Sequence, residues 1–252
     1  MGRPGRNVVK KHLKEIIERF CIDITIANGE NAAGGNGLTK KVAEELYSSG
    51  IDFLTMGNHV WDKKEIIDFI DSDNRIIRPA NYPAECPGKG SMVINKNNTS
   101  LGVINVSGRI FLDPLNCPFM SVKTEISKIK DKTNCILVDF HAEATSEKVA
   151  MGWFLAGKVS AVVGTHTHIQ TADECILPGD TAYITDVGMT GPYNSVLGVE
   201  TGIILKKFLT QMPVRFEVAK GPAQINAVVI EIDDKLGKAK NICRLNLKYD
   251  NI

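Results

Sequence analysis

The chain has 252 residues, of which 43% are hydrophobic, and its 30 Lys and Arg residues nearly balance its 29 Asp and Glu residues. This length is ample for a buried core. The balanced charge argues against a nucleic-acid-binding protein, which would carry a basic bias on at least one face.

Two further features of the sequence indicate the compartment. No stretch approaches the ~20 apolar residues of a membrane span, and the first residues lack the apolar core of a signal peptide. The six cysteines are far apart and form no C-x-x-C pair, which suits reduced thiols better than a disulfide framework or a zinc site. We therefore expect a cytoplasmic protein without a membrane partner.

The N-terminal half alternates between helix and strand patterns. The apolar spacing in "NVVKKHLKEIIERF" (residues 7–20) predicts a helix, and the β-branched run "IDITIA" (residues 22–27) predicts a strand. The next helix has Thr39 as its N-cap and stops at Gly50. "IDFLTM" then predicts a strand and "KKEIIDFID" a helix. This order favours α/β layers with a largely parallel sheet.

The rest of the chain continues this alternation. "SMVINKNNTSLGVINV" predicts a hairpin around an Asn-rich turn. Strands are predicted at "CILVDF", "VSAVVG" and "TAYITDVG", and helices at "SEKVAMGWFLAG" and "TGIILKKFL". The last predicted strands are "PVRFEV", "AVVIEI" and "NICRLNL". We expect one domain over residues 1–252, with two stacked mixed β-sheets flanked by helices.

Polar side chains follow four of the predicted strands. They occur in "NGEN" (residues 28–31), "GNH" (residues 57–59), "FHAEAT" and "THTH" (residues 165–168). Each alone has an ordinary explanation, since a single His at a strand end is usually a hydrogen-bonded loop residue and Asn-Gly favours turns. In open α/β sheets, however, ligands bind beyond the carboxyl ends of the strands. The four segments together therefore predict a metal site.

The residue types suggest how this site would work. Two neighbouring divalent ions need a bridging carboxylate together with imidazole and amide ligands, and Glu30 is the carboxylate placed to bridge. Asn31 and Asn58 offer neutral amide oxygens. His59 directly follows Asn58, so we expect its side chain to point away from the ligands and to act as a proton donor.

The order of these motifs resembles that of the calcineurin-like metallophosphoesterases. Longer stretches are similar to the YmdB-type bacterial 2′,3′-cyclic nucleotide phosphodiesterase family, and the resemblance covers essentially the whole chain. The stretches are "ANGENAAGGNGLT", "TMGNHVWD", "RPANYP", "VDFHAEATSEK", "VVGTHTHIQTAD" and "YITDVGMTGPY". The resemblance implies a metallophosphoesterase sandwich that hydrolyses small cyclic nucleotides, such as 2′,3′-cAMP, to nucleoside monophosphates.

The resemblance also implies a role for each motif residue. Glu30 would bridge two metal ions, and His59 would protonate the leaving ribose oxygen. The first metal would be bound by Asn31 and His168, and the second by Asn58, His141 and His166. Iron or manganese is expected first from the family and from ligands without thiolate, and magnesium or zinc is also compatible.

One part of the family pattern is absent from the sequence. The resemblance implies a strand that ends in Gly-Asp just before the "GRPGR" loop, with that Asp as a ligand of the first metal. Here the sequence starts at "MGRPGR". We therefore expect the first strand and its Asp to be missing, through a misassigned start or a truncation, and the first metal site to be incomplete.

Two other functions share features with this sequence. An amidohydrolase barrel also uses His-x-His but places it on its first strand, whereas here the pair comes late, which argues against that fold. A metal-binding regulatory protein with weak or no catalysis stays open, because the first-site Asp is absent. A symmetric homo-oligomer is expected from general frequency.

Overall fold

The computed structural model describes residues 1–250. The helices are α1 (Gly2–Arg19), α2 (Lys40–Ser48), α3 (Pro118–Ile129), α4 (Thr145–Leu155) and α5 (Thr201–Thr210), with a 3-10 turn at Lys64–Asp68. The first six strands are β1 (Ile26–Asn28), β2 (Phe53–Thr55), β3 (Ile76–Ile77), β4 (Ser91–Lys96), β5 (Thr99–Ser107) and β6 (Ile136–His141). The other strands are β7 (Ala161–Thr165), β8 (Cys175–Leu177), β9 (Thr181–Ile184), β10 (Gly191–Pro192), β11 (Ala223–Asp233) and β12 (Lys238–Tyr249).

Over residues 1–250 these strands form three sheets. The largest has the order β4-β5-β6-β7-β9-β8, with parallel pairing from β5 to β9 and antiparallel strands at its edges. A parallel sheet has the order β1-β2-β3, and an antiparallel sheet has the order β10-β11-β12. The mixed α/β class predicted from the sequence is confirmed.

The sheets and helices stack in layers. Along β6, Val138 and Phe140 pack with α3 and α4 on one side of the six-stranded sheet. Leu137 faces the opposite side, where both smaller sheets pack. Helices α1 and α2 cover the outer face of the smaller sheets, with Leu13 in a cluster beside β2 and Val8 in a cluster beside β11. One of the two predicted β-layers is therefore divided into two sheets.

Several predicted ends and turns are confirmed in detail. The Thr39 side chain accepts a hydrogen bond from the Val42 amide at 3.3 Å, as an N-cap residue does. Gly50, just after α2, has a φ of 106°, which glycine adopts without steric cost. Asn97 and Asn98 have φ values of 48° and 66°, the left-handed pair that a tight hairpin turn needs.

Other predictions of secondary structure are wrong. The strand predicted at residues 22–27 is only Ile26–Asn28, at an unpaired edge of its sheet. "KKEIIDFID" forms a 3-10 turn instead of an α-helix. Its carboxylates lie at the C-terminal end, where negative charge interacts unfavourably with the dipole of an α-helix. "PVRFEV" is not a strand, since only Val218 makes an isolated bridge there, with Val199. The "GRPGR" segment is the first turn of α1, not a loop.

The length and apolarity of the helices bear on membrane insertion. Among residues 1–250, no helix is both long and apolar enough to cross a bilayer. The expectation of one domain over the whole chain stays a prediction.

Candidate metal centre

The parallel register brings the polar strand ends together. Asn28 at the end of β1 pairs with Thr55 at the end of β2. In the larger sheet, His141 at the end of β6 lies between Ser107 of β5 and Thr165 of β7. The two sheets meet here, because the Thr55 hydroxyl at the end of β2 donates to Asp139 of β6. All of these strands therefore end on the same side of the molecule, and the loops that follow them carry the predicted site residues.

Four ligand-type atoms converge on one point at this edge. The Nε2 atom of His141 lies 3.1 Å from Oε1 of Glu30 and 3.0 Å from Oδ1 of Asn58. It also lies 3.0 Å from Nδ1 of His166. Glu30, His141 and His166 form a group whose ligand atoms all lie within 4.8 Å of one another. One nitrogen carries at most one proton, so it cannot donate to all three neighbours. Such a convergence of lone pairs suits a cation.

Asn31 and His168 form a second pair beside this group. The Asn31 amide nitrogen lies 3.1 Å from Nε2 of His168 and 3.1 Å from Oε1 of Glu30. Nδ1 of His168 donates to the Leu197 carbonyl at 3.0 Å, which leaves Nε2 with its lone pair toward Asn31. Glu30 thus lies between the two groups of side chains.

His59 is arranged differently from the other site histidines. Its backbone amide donates to Oε2 of Glu30 at 3.2 Å. Its ring instead contacts Asp62, with Nδ1 2.9 Å from Oδ2, and the side chain is 38% exposed. The ring is not part of the Glu30 group. A carboxylate-bound imidazole that reaches solvent can hold a proton and pass it to a bound molecule.

The pKa shifts fit the binding of cations. Burial would raise the pKa of Glu30, but the charge of His141 and hydrogen bonds from His141 and His59 outweigh it and lower the pKa to about 2. Burial and the charge of His141 lower the pKa of His166 to about 4, and burial also lowers the pKa of His168. At neutral pH the site therefore offers an anionic carboxylate at Glu30 and neutral imidazoles at His166 and His168, which are the forms that bind metal. Burial would lower the pKa of His141, but the charge of Glu30 and its hydrogen bond outweigh burial and raise it.

A buried network holds the His141 ring. Its Nδ1 atom lies 2.8 Å from the hydroxyl of Thr165, which donates to Asp139 at 2.7 Å. The hydroxyl of Thr55 donates to the other Asp139 oxygen at 2.5 Å. Asp139 is 3% exposed, and although burial raises its pKa, these hydrogen bonds oppose the shift. Partners of this kind fix the orientation of ligand rings in metal sites.

Sequence reasoning missed Asp139 and Glu143. Asp139 is the one charged residue of the apolar run "CILVDF", and a carboxylate inside a buried strand is itself a signal. Glu143 follows His141 by two residues and lies 3.0 Å from Nε2 of His166. No sequence pattern pairs these two residues, since the contact depends on the loops after β6 and β7.

The His-x-His segment has an unusual backbone. His166 and His168 have φ values of 106° and 68°, which side chains other than glycine rarely adopt. Between them, the amide and hydroxyl of Thr167 donate to Oδ2 of Asp186 at 3.0 and 2.8 Å. Asp186 is itself paired with the buried Lys148 at 2.6 Å. These contacts hold the segment in its strained conformation.

The donor set at this site is chemically suited to metal ions. Carboxylate oxygens, amide oxygens and imidazole nitrogens are a ligand set for iron, manganese and zinc, and thiolates are absent from this group of residues. Gly57 also leaves space at the centre, because a Cβ atom there would overlap the Glu30 carboxylate and the His141 ring. The residues fit bound metal ions.

Comparisons with known proteins identify relatives over nearly the whole chain. The model of the YmdB-like protein family matches residues 1–245. A 2′,3′-cyclic-nucleotide 2′-phosphodiesterase of Bacillus subtilis (strain 168) is 52% identical over 252 residues, which are 100% of this chain and 96% of the relative. More distant likeness in fold extends to a 5′-nucleotidase precursor from Thermus thermophilus, with a TM-score of 0.57 and 14% identity over 96% of this chain and 48% of that chain.

Two solved structures are much more similar. A hypothetical protein from Thermus thermophilus has a TM-score of 0.92 and 42% identity, over 98% of this chain and 96% of that chain. A phosphatase of Mycoplasma pneumoniae has a TM-score of 0.92 and 34% identity, over 99% of this chain and 91% of that chain. With the family match over nearly all of the sequence, this chain belongs to the YmdB-like family.

Proposed function

We propose that the protein is a metal-dependent phosphodiesterase that hydrolyses 2′,3′-cyclic nucleotides to nucleoside monophosphates. The observation that carries the proposal is the convergence of Glu30, Asn58 and His166 on the His141 ring. The Bacillus subtilis relative, 52% identical, is named for this activity. An enzyme that hydrolyses phosphoric diesters fits both observations.

The proposal assigns metal ligands to the two groups of side chains. Asn31 and His168 would hold the first metal ion, and Glu30 would bridge. Asn58, His141 and His166 would hold the second ion. Iron and manganese are the proposed metals, with magnesium and zinc as alternatives. Two metal ions bound there would lower the pKa of a water molecule and neutralise charge on the phosphoryl oxygens.

The chain's own residues would supply orientation and the proton. Water adds to phosphorus as the bond from phosphorus to one ribose oxygen breaks, and that oxygen needs a proton. His59, held by Asp62 at 2.9 Å, is the proposed donor. The neutral amides Asn31 and Asn58 would keep the net charge of the loaded site positive, which favours an anionic phosphodiester.

The test is a hydrolysis assay with 2′,3′-cAMP on manganese-loaded and iron-loaded protein, with metal content measured in parallel. Release of adenosine monophosphate is expected. Glu30→Gln should lose metal from both positions, because a neutral amide bridges cations poorly. The alternative of a metal-binding regulatory protein predicts loaded metal without turnover. Loaded wild-type protein that leaves the cyclic phosphate intact would reject the enzymatic proposal.

We also propose that the enzyme is cytoplasmic and self-associates through α5. The apolar side chains of Phe208 and Leu209 in α5 and of Met212 just after it are 70%, 83% and 60% exposed, and exposed apolar surface of this kind marks interaction sites. Six free thiols suit a reducing compartment. Sedimentation velocity of the wild type and of Leu209→Lys tests self-association. Identical monomeric profiles would reject it.

A further inference from the structure

The segment "RPANYP" (residues 78–83) contributes no residue to the proposed metal ligands, yet buried polar contacts hold it firmly. Arg78, directly after β3, is 5% exposed. Its guanidinium donates to three backbone carbonyls at 2.8–2.9 Å, those of Pro79, Cys86 and Pro87. Burying a cation is costly unless its donors are satisfied, and here they are satisfied by the backbone of this segment and the residues that follow it. The segment is therefore fixed in one conformation.

Asn81 ties the same segment to the end of β5. Its amide nitrogen donates to the Ser107 carbonyl at 2.8 Å and to the Asn116 carbonyl at 3.1 Å. Its side-chain oxygen accepts from the Ser107 amide at 2.8 Å, and the residue is fully buried. Ser107 is paired with His141 in the parallel register, and neighbouring strands are ~4.8 Å apart. The segment therefore passes beside the metal centre, and the next residue is Tyr82.

The ring of Tyr82 also contacts the loop that carries Asn58 and His59. It packs edge-on against Trp61, with ring centroids 5.8 Å apart. Trp61 follows the proposed ligand Asn58 by three residues. Tyr82 thus lies between the loop after β2 and the end of β5, and both of these places adjoin proposed metal ligands. The ring is held at the side of the metal centre.

The hydroxyl of Tyr82 is not used by the fold. Within residues 1–250 it forms no hydrogen bond with another protein group, and it is not enclosed in the core. Burial raises the pKa of Tyr82 to about 12, with smaller contributions from nearby acidic groups that include Asp113 and Glu30. At neutral pH the hydroxyl is therefore an uncharged donor within electrostatic reach of the Glu30 carboxylate. A donor that is rigidly held and accessible suits an acceptor on a bound molecule.

We propose that the Tyr82 hydroxyl donates a hydrogen bond to the phosphodiester anion of the substrate at the metal centre, which makes Tyr82 a further catalytic residue. This inference rests on the proposed function. Hydrogen bonds to ionised acceptors are stronger than those between neutral groups. The contacts of Arg78 and Asn81 hold the donor in place before the substrate binds, so no reorganisation is needed during the reaction.

A second use of a tyrosine beside a nucleotide is stacking of the ring on the base. Stacking requires the ring and not the hydroxyl. The free hydroxyl of Tyr82 and the edge contact of its ring with Trp61 favour the hydrogen bond. Removal of the oxygen atom alone distinguishes the two roles.

The test is therefore Tyr82→Phe, which keeps the ring against Trp61. Loaded with manganese, this variant should hold as much metal as the wild type and keep its Tm. We expect its kcat/KM on 2′,3′-cAMP to fall about 10- to 100-fold, the loss for a hydrogen bond to a charged group. The Kd of inorganic phosphate, measured by titration calorimetry on the manganese-loaded protein, should rise about tenfold.

Tyr47→Phe is the matched control, because it removes the same atom far from the metal centre. The Tyr47 hydroxyl donates to Asp73 at 3.1 Å. Tyr47 lies at the C-terminal end of α2, just before the start of β2, whereas the metal centre lies beyond the ends of the strands. This variant should keep the kcat/KM and the phosphate affinity of the wild type.

The outcomes separate this inference from the proposed function. Wild-type kcat/KM and wild-type phosphate affinity in Tyr82→Phe would overturn the inference and leave the phosphodiesterase intact. Loss of metal from Tyr82→Phe would also overturn it, because Tyr82 would then support the ligands and not the substrate. Wild-type protein that binds phosphate without hydrolysing 2′,3′-cAMP would reject the phosphodiesterase. In that case the phosphate affinities of the two proteins still decide whether Tyr82 contacts a bound anion.

Discussion

His59 differs from the other site histidines in what its ring contacts. Its imidazole binds Asp62 and is partly exposed, while its backbone amide binds Glu30. The residue can therefore be replaced without removing a ligand atom from the Glu30 group.

We expect His59→Asn to keep its metal content and to lose about 10²–10⁴-fold in kcat on 2′,3′-cAMP, the range for loss of a general acid. A p-nitrophenyl phosphodiester should lose much less, because its leaving group does not need a proton. The ratio of the two rates is the internal control. Loss of metal would instead make His59 a ligand, and equal losses on both substrates would remove it as the acid.

Gly57 makes room for the centre of the site. A Cβ atom there would overlap the Glu30 carboxylate and the His141 ring, whereas a Cβ atom at Gly29 would meet Leu54 at 3.4 Å, an ordinary contact. We expect Gly57→Ala to lose most of its bound metal and Gly29→Ala to keep it. Metal analysis after dialysis checks this, with circular dichroism to verify the fold. Full occupancy in Gly57→Ala would contradict the assigned centre.

At the scale of elements, the buried pair of Lys148 on α4 and Asp186 after β9 links a helix to the His-x-His segment. Both side chains are 1% exposed and lie 2.6 Å apart. Removing one partner of a buried pair leaves an uncompensated charge, which is much more destabilising than the loss of a surface pair.

We expect Asp186→Asn to lower the free energy of unfolding by about 3–5 kcal/mol in urea denaturation. The control is Asp180→Asn, whose partner Lys238 lies 2.9 Å away with both side chains about half exposed. That exposed pair should contribute less than about 1 kcal/mol. Equal effects of the two substitutions would mean that the Lys148 pair does not stabilise the fold.

The elements also show which features a sequence can predict. Local signals were sufficient for α2, whose cap and terminal glycine lie within the helix's own neighbourhood, and for the hairpin at Asn97 and Asn98. In open α/β sheets, ligands bind beyond the carboxyl ends of the parallel strands. This general rule is sufficient to predict that the polar residues at the strand ends lie close together. The Glu143 contact with His166 and the division of one β-layer depend on packing between distant segments, which no local pattern contains.

At the scale of the whole molecule, covalent cross-links play no part in stability. All six cysteines are free, with Cys21 and Cys243 exposed and Cys135 buried. Burial raises the pKa of the Cys135 thiol, and the negative charges of the nearby Asp234 and Asp233 raise it further. The thiolate is the reactive form, so reactivity should follow exposure.

We expect a thiol reagent to modify Cys21 and Cys243 rapidly in the native protein and Cys135 only on unfolding. Mass spectrometry of peptides after timed labelling gives the order. Adding a reductant should leave Tm unchanged. A reductant-dependent Tm, or early labelling of Cys135, would contradict this view of the fold.

The contact between Asn31 and His168 joins residues 137 positions apart in the chain. A pair so distant in sequence forms only after the large loop between its members has closed, which is slow and entropically unfavourable. The metal centre should therefore assemble late, after the folding transition state. Metal ions would then slow unfolding and leave the refolding rate unchanged, as stopped-flow measurements with and without manganese can establish. Bound metal would then stabilise the native state kinetically, by slowing its unfolding, without guiding the chain as it folds.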